Sequence, residues 1–358
     1  MHHHAARQRA VPGRAETGAE NSSSGADRGV LRQRRGALFG RNAVFRLKGL
    51  FSLLAHNLGI GRKIRKHRAD VVWIRGSKGI AFAGLAALLS RRPPVWDVVY
   101  ELPSRGVVRW RHRIGLWAAE RVVFQYSAAP DVIFGPELAA RYRHKFQTII
   151  PGIDLPSLEP FRAKRMARER REGDPFVILQ VGTICDRKNQ QLLIDALVQV
   201  RQVRLNDPIR VQLAGGVFEE DYAGSLKEKV TAAGLEEEVE FLGWRSDVHE
   251  LMAGADVLAM PSRDEGVPNT VQEAMAIGLP VLVSEAGGMP EVVTEGETGW
   301  ILGLDSPESW ADRIGWCLEN RKQLDEVGQR AAEYAVEHFG TQQWGAEYGW
   351  LIAESCGR

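Results

Sequence analysis

Pro261-Ser262-Arg263-Asp264-Glu265-Gly266-Val267-Pro268-Asn269-Thr270-Val271-Gln272-Glu273-Ala274-Met275-Ala276 is the most informative stretch of this 358-residue sequence. It follows Val257 to Met260, a short apolar run that reads as a buried strand, so it sits at a strand's carboxyl end. Asn269 followed by Gln272 has the spacing of a capping box, which places a helix start there. Glu265 then lies in the loop and Glu273 about one turn inside the helix. Two carboxylates facing one cleft can accept hydrogen bonds from sugar hydroxyls at two points of a ligand. The helix N-terminus between them offers free N–H groups to a phosphate. Taken alone, two glutamates at this spacing often arise by chance, as a solvated acidic loop and a surface helix residue.

Strands and helices alternate on both sides of the segment. Around it the expected strands are Phe176 to Val181, Arg210 to Leu213, Val239 to Leu242, Pro280 to Val283 and Trp300 to Leu302. Gln190 to Val203 carries Leu192, Leu193, Ala196, Leu197 and Val200 on one helical face. Helices from about Glu308 to Asn320 and Leu324 to His338 follow, then an amphipathic piece from Thr341 to Ala353. An earlier series has strands Val71 to Ile74, Val95 to Leu102, Val122 to Phe124 and Thr148 to Ile150. Between them fall helices Ile80 to Leu89, Val108 to Ala119 and Pro136 to Tyr142. This alternation predicts an α/β protein with two doubly wound parallel sheets facing a cleft, and ligands at the strands' carboxyl ends. The expected domains are 37–155 and 174–339. A polar, basic linker (156–173) joins them, a disordered head (1–36) precedes them, and a C-terminal helix (340–358) ends the chain.

Composition narrows the function classes. A formal net charge of +2 gives no argument for nucleic acid as partner. Three scattered cysteines, Cys185, Cys317 and Cys356, form neither a disulfide framework nor a zinc spacing, which points to a reducing cytoplasm. The longest apolar run, Ile80 to Leu89, is too short to span a bilayer. The head begins Met1-His2-His3-His4 without the apolar core of a secretory signal, and its histidines read as a cloning remnant. From Ala37 to Arg68, Phe39, Val44, Leu47, Leu50, Phe51, Leu54 and Leu58 recur at helical spacing. Arg41, Arg46, Lys48, Arg62, Lys63, Arg65, Lys66 and Arg68 surround them. This is either a helix covering a domain with a solvated basic face, or a peripheral contact with an anionic membrane.

The Glu265–Glu273 segment resembles the E-x7-E motif of family 4 retaining glycosyltransferases, in the variant with Pro-Asn before the helix. Gly278-Leu279-Pro280-Val281, Gly287-Gly288-Met289-Pro290-Glu291 and Gly299-Trp300-Ile301-Leu302 are similar to the family's later turns and strands. Phe241-Leu242-Gly243-Trp244, Ala255-Asp256-Val257 and Ile150-Pro151-Gly152-Ile153-Asp154 fit upstream. The resemblance covers about Pro136 to Phe339 and implies the GT-B fold. It also implies a UDP- or GDP-sugar donor and transfer to a hydroxyl of a saccharide, lipid-linked saccharide or small glycoside, with retention at the anomeric carbon. By the same resemblance Glu273 would hold the ribose hydroxyls and Glu265 the donor sugar. Lys188 occupies the diphosphate lysine position, with Asn269 and Thr270 at the helix start. Gly243, Trp244 and Arg245 would border the base. Gly287 and Gly288 would let backbone approach the ligand.

The sequence departs from the family at several points. Thr183 stands where members often carry an arginine, and Arg187 is the nearest substitute. The family's opening strand and glycine-rich loop have no counterpart before Ala37, so the first domain reads as incomplete. No histidine follows the strand at Glu101-Leu102-Pro103-Ser104, and His112 reads as a helix-surface residue. With no Asp-x-Asp pair at a strand end, the expectation is a reaction without metal or cofactor, Lys188 and helix N-termini neutralising the diphosphate. Two alternatives stand beside this one: a nucleotide-sugar-binding protein that transfers nothing, and a sugar-nucleotide epimerase of the same fold.

Overall fold

The computed structural model of the chain describes residues 43–92, 94–99, 106–171 and 173–356. The expected disordered head and the Glu101–Ser104 segment lie outside the described residues. Helix α1 (Ala43–Lys66) comes first. Its Leu54 and Leu58 are exposed, while the side chains of Leu47, Leu50 and Phe51 lie outside the described set. Residues 60–358 form one compact unit that contains both sheets. No described helix is long and apolar enough to cross a membrane.

The first sheet has four parallel strands in chain order: β1 (Val72–Arg75), β2 (Pro94–Val98), β3 (Arg121–Phe124) and β4 (Phe146–Thr148). Parallel neighbours need crossovers, here α2 (Gly76–Leu89), α3 (Gly106–Ala118), and the pair α4 (Ala129–Phe134) and α5 (Pro136–Tyr142). Every residue of β2 is buried, and α3 lies directly on it. A Cβ added at Gly115 would fall 2.7 Å from the Trp96 ring. His112 is not on the helix surface as its sequence neighbours suggested. It is fully buried, with its ring 5.1 Å from Phe134 and 6.0 Å from Trp96, because the residues three and four positions on, Gly115 and Leu116, also face the core.

The second sheet has six parallel strands: β5 (Phe176–Val181), β6 (Ile209–Ala214), β7 (Val239–Gly243), β8 (Val257–Met260), β9 (Val281–Ser284) and β10 (Gly299–Leu302). Their spatial order is β10-β9-β8-β5-β6-β7. Winding runs outward from β5 through β6 and β7, then restarts at β8 and runs the other way, so the order reverses between β5 and β8. This is the doubly wound arrangement, whose ligand crevice opens at the reversal. The strands are near-continuous buried runs because helices cover both faces.

The first part of the expected polar linker (156–173) instead belongs to helix α6 (Leu155–Met166). Its first turn tolerates Pro156, and Leu158 is buried. Arg165 is buried too. It donates to Ala255 O (2.5 Å) and Gly278 O (2.7 Å), and burial lowers its guanidinium to about 10. Those carbonyls close α9 (Val248–Gly254) and α10 (Asn269–Ile277), which follow α7 (Gln190–Val203) and α8 (Glu220–Ala232). The short α11 (Met289–Val292) then precedes α12 (Pro307–Glu319), α13 (Arg321–His338) and α14 (Thr341–Ser355). The chain passes between the domains twice, side by side, with Ile153 N donating to Phe339 O at 2.8 Å. Helix α14 then returns to the first sheet, where Leu351 is buried among Val95, Val123 and Ile149.

Candidate active site

Strands β5 and β8 end next to each other at the reversal. After β5, Asp186–Lys188 makes a 3-10 turn closed by Asn189 at φ 53°, a left-handed conformation that asparagine tolerates. The turn folds Lys188 over Gly182, where an added Cβ would sit 3.0 Å from the lysine Cε. After β8, the loop brings Glu265 to the same place. Lys188 Nζ is 2.6 Å from Glu265 Oε1, with both side chains about nine-tenths buried. Arg187 approaches the same oxygen at 3.1 Å and donates to Asp264 O at 2.9 Å. Two cations thus face one carboxylate beside a crevice whose lining also includes Arg263, Asp264 and Glu285. Arg187, expected as the nearest substitute for the arginine replaced by Thr183, here approaches Glu265 together with Lys188.

Glycines set the spacing of these loops. Gly287 has φ 62°, and a Cβ there would fall 1.9 Å from the Glu265 carbonyl oxygen. Gly288 N donates to Gly266 O at 2.8 Å. Both glycines thus let two loops of the protein approach each other, beside whatever ligand approach they permit. A cavity of about 500 Å³ opens between the domains. Glu265, Gly266 and Gly287 bound it on one side, and Val98, Gln125 and Tyr126 on the other. Burial raises the Tyr126 hydroxyl above its ordinary range, and Asp264 and Glu291 add to the shift, so it stays protonated. A cavity of about 280 Å³ beneath Arg165 and Arg170 is a separate feature, where Arg170 is held by Asp256 and Asp325 in structural ion pairs.

The capping box does not form. Pro268 takes the cap position, Asn269 is the first helical residue and exposed, and no side chain caps α10. Gln272 instead donates to Pro151 O at 2.7 Å, at the crossing between the domains. The first N–H groups of α10 are thereby left without a side-chain acceptor, which suits an anion. Thr270 is half-buried beside them. Glu273 is half-buried one turn on, 3.4 Å from His249 Nε2, and does not line the 500 Å³ cavity. The structure thus groups Glu265, Lys188, Arg187 and Gly287, with Glu273 outside that group beside His249. His249, whose ring also meets Phe161 at 5.3 Å, was missed by the sequence reading. Its pairing joins two helices and leaves no local pattern. At the end of β7, Gly243 turns at φ 65° and Trp244 is 78% exposed. Arg245 is taken up by Asp247. Among the described residues no three His, Cys, Asp or Glu side chains cluster as a metal site.

Residues 161–334 match the family of glycosyl transferases group 1. The matched segment is just under half of the chain. The match runs from α6 to α13 and includes both loops that carry Lys188 and Glu265. A D-inositol 3-phosphate glycosyltransferase of Corynebacterium glutamicum (strain R) is 32% identical over 232 residues, 63% of this chain and 51% of that protein. The chain spans about half the length of such corynebacterial relatives. A GDP-mannose-dependent alpha-(1-6)-phosphatidylinositol monomannoside mannosyltransferase of Mycolicibacterium smegmatis is 27% identical over 311 residues, 82% of this chain and 78% of that one. Among solved structures, Anabaena Alr3699/HepE in complex with UDP superposes with a TM-score of 0.71 at 23% identity, covering 83% of this chain and 82% of that one. The glycosyltransferase fold is accordingly GT-B: two parallel-sheet domains flanked by helices, facing a cleft.

Proposed function

We propose that this glycosyltransferase moves a sugar from a UDP- or GDP-sugar to a hydroxyl of a saccharide, lipid-linked saccharide or small glycoside, with retention and without a metal ion. The observation that carries the reading is the meeting of Lys188, Arg187 and Glu265 at the reversal between β5 and β8. The donor's diphosphate would lie against Lys188, Arg187 and the open N-terminus of α10. Each of these neutralises charge that grows as the bond from the anomeric carbon to phosphate oxygen breaks. The diphosphate leaves with the electron pair, the acceptor oxygen bonds to the anomeric carbon, and the acceptor proton passes to the departing phosphate. As the cations turn to phosphate, Glu265 is released to accept hydrogen bonds from sugar hydroxyls. Glu273 would hold the ribose, Trp244 and Gly243 would border the base, and Gly288 would lie near the sugar or phosphates.

UDP is bound by the Anabaena protein and GDP-mannose is named for the mycobacterial relative, which supports both donor classes as candidates. The mycobacterial relative named for a phosphatidylinositol monomannoside acceptor supports peripheral contact with an anionic membrane, which in this reading is met from the cytoplasmic side. The test is mass spectrometry of products from a donor panel with and without saccharide acceptors, with proton NMR to read the anomeric configuration and any epimerised donor sugar. A glycoside product of retained configuration, formed in excess EDTA, is the expected result. Donor binding without any product leaves a binding protein, and interconversion of the donor sugar alone makes the chain an epimerase.

A further inference from the structure

Helix α3 carries an outward face that the first domain's core does not use. Its inner side is filled by His112, Gly115 and Leu116. On the other side Trp110, Ile114 and Trp117 are exposed by 47%, 44% and 66%. They recur at helical spacing and form one apolar stripe. Arg109 and Arg113, both exposed, run beside the stripe, and the helix contains no acidic residue. With Arg141 they line a cavity of about 530 Å³ at Gly135 and Pro136, where Glu137 is the acidic residue among the lining side chains. The neighbouring α2 adds exposed Leu85 and Leu89. At the end of α3, Lys145 Nζ donates to Leu116 O (3.0 Å), Trp117 O (3.3 Å) and Ala119 O (2.6 Å). Leu116 and Trp117, whose carbonyls lie in the last turn of the helix, are therefore already supplied with a donor before any approach to lipid.

We propose that α3 seats the protein on an anionic phospholipid bilayer. Trp110, Ile114 and Trp117 enter the interfacial layer, where indole rings are favoured. Arg109, Arg113 and Arg141 hold lipid phosphate, which their planar forks match in a bidentate way. Charge complementarity selects this occupant: a cationic cavity flanks an apolar stripe on one helix face. The inference rests on the peripheral-membrane reading above and assigns it a face on the first domain, distinct from α1.

The experiment is co-sedimentation of the full chain with phosphatidylglycerol–phosphatidylcholine vesicles and with phosphatidylcholine vesicles. Two double variants accompany it, Trp110→Ser with Trp117→Ser and Arg109→Gln with Arg113→Gln, their folding checked by thermal unfolding. Wild-type protein should bind the anionic vesicles, and each double variant should lower the partition coefficient roughly tenfold or more. Brominated phosphatidylglycerol should quench wild-type tryptophan fluorescence and spare the tryptophan variant's remaining signal. Variants that bind as tightly as wild type would overturn the assignment to α3 while leaving membrane contact standing. No binding of wild type to anionic vesicles would remove both. If the tryptophan variant instead dissolves a dimer in light scattering and still binds vesicles, the face pairs with a second copy and the proposal is wrong.

Discussion

Glu291, at the start of the second domain's α11, grips Ser127 of the first domain. Its two carboxylate oxygens accept the Ser127 N–H at 2.7 and 2.9 Å, and one of them also accepts the hydroxyl at 2.7 Å. Charge-assisted bonds of this kind are about twice as strong as neutral ones. They span the cleft beside Tyr126 and Gly288, so they bear directly on how readily the domains part. Glu291→Ala should speed amide exchange at Ser127 by about tenfold, read by hydrogen-exchange mass spectrometry. Exchange at the wild-type rate would show that the grip contributes nothing to closure.

Lys188 and Asn269 make a paired test of what holds the diphosphate. A unit charge about 4 Å from phosphate contributes up to about 4 kcal/mol at an effective dielectric near 20. Lys188→Ala should therefore weaken nucleotide-sugar binding at least tenfold in calorimetry. Asn269 makes no capping bond, so Asn269→Ala should shift melting and affinity by only a few tenths of a kcal/mol. Equal losses from the two substitutions would mean that the lysine does not meet phosphate.

Glu273→Ala should cost roughly 1.5–3 kcal/mol of donor affinity if ribose hydroxyls lose a charged acceptor. His249→Ala provides the contrast, because it removes the partner 3.4 Å away and keeps the carboxylate. Unchanged calorimetric affinity in Glu273→Ala, for UDP- and GDP-sugars alike, would make the glutamate a structural partner of His249.

Gly287→Ala should lower unfolding free energy by about 2 kcal/mol or more in urea titration. Both the positive φ and the 1.9 Å approach to the Glu265 carbonyl work against a side chain there. Gly234→Ala is the control, with φ 68° and nothing within 4 Å, and should lose only about 1 kcal/mol.

Asp97 on β2 gives a pH-dependent prediction. Burial lifts its carboxyl above the ordinary value near 3.8, and Arg75 at 3.6 Å with a Trp73 hydrogen bond offsets only part of this. Between 3.8 and the lifted value the folded state holds a proton that the unfolded state has released. Stability contributed by Asp97 is complete below 3.8 and is lost as pH rises through the lifted value. Asp97→Asn should raise the melting temperature at neutral pH, with the gain vanishing under strongly acidic conditions. A penalty at neutral pH would mean that the Arg75 pair outweighs desolvation.

Where interactions are local, the sequence was a good guide. Phe176–Val181, Val257–Met260 and Gln190–Val203 were read with their observed limits, because a buried parallel strand is a continuous apolar run and an amphipathic helix repeats every 3.6 residues. The approach of Lys188 to Glu265 was not legible in the sequence, because it depends on β5 and β8, some eighty residues apart, ending side by side. Features set by distant contacts were not legible. Gln272 resembles half of a capping box, but its partner is Pro151, 121 residues away. Helix α6 hides behind two prolines and a basic composition, since its stability comes from Arg165 closing two other helices. His112 sits among arginines in sequence and among aromatic rings in space.

Helix α14 has a consequence for the order of events during synthesis. Leu351 fills the first domain's own core against Val95, Val123 and Ile149, and Tyr348 packs its ring 4.8 Å from Trp73. A nascent chain emerges from the ribosome amino end first, so that core waits for residues translated some two hundred positions after its last strand. The second domain has all its strands by Leu302 and can fold while the first still lacks its closing helix. Assembly is therefore inside-out with respect to the direction of translation, and a stalled chain ending before α14 would present an unsealed sheet to chaperones.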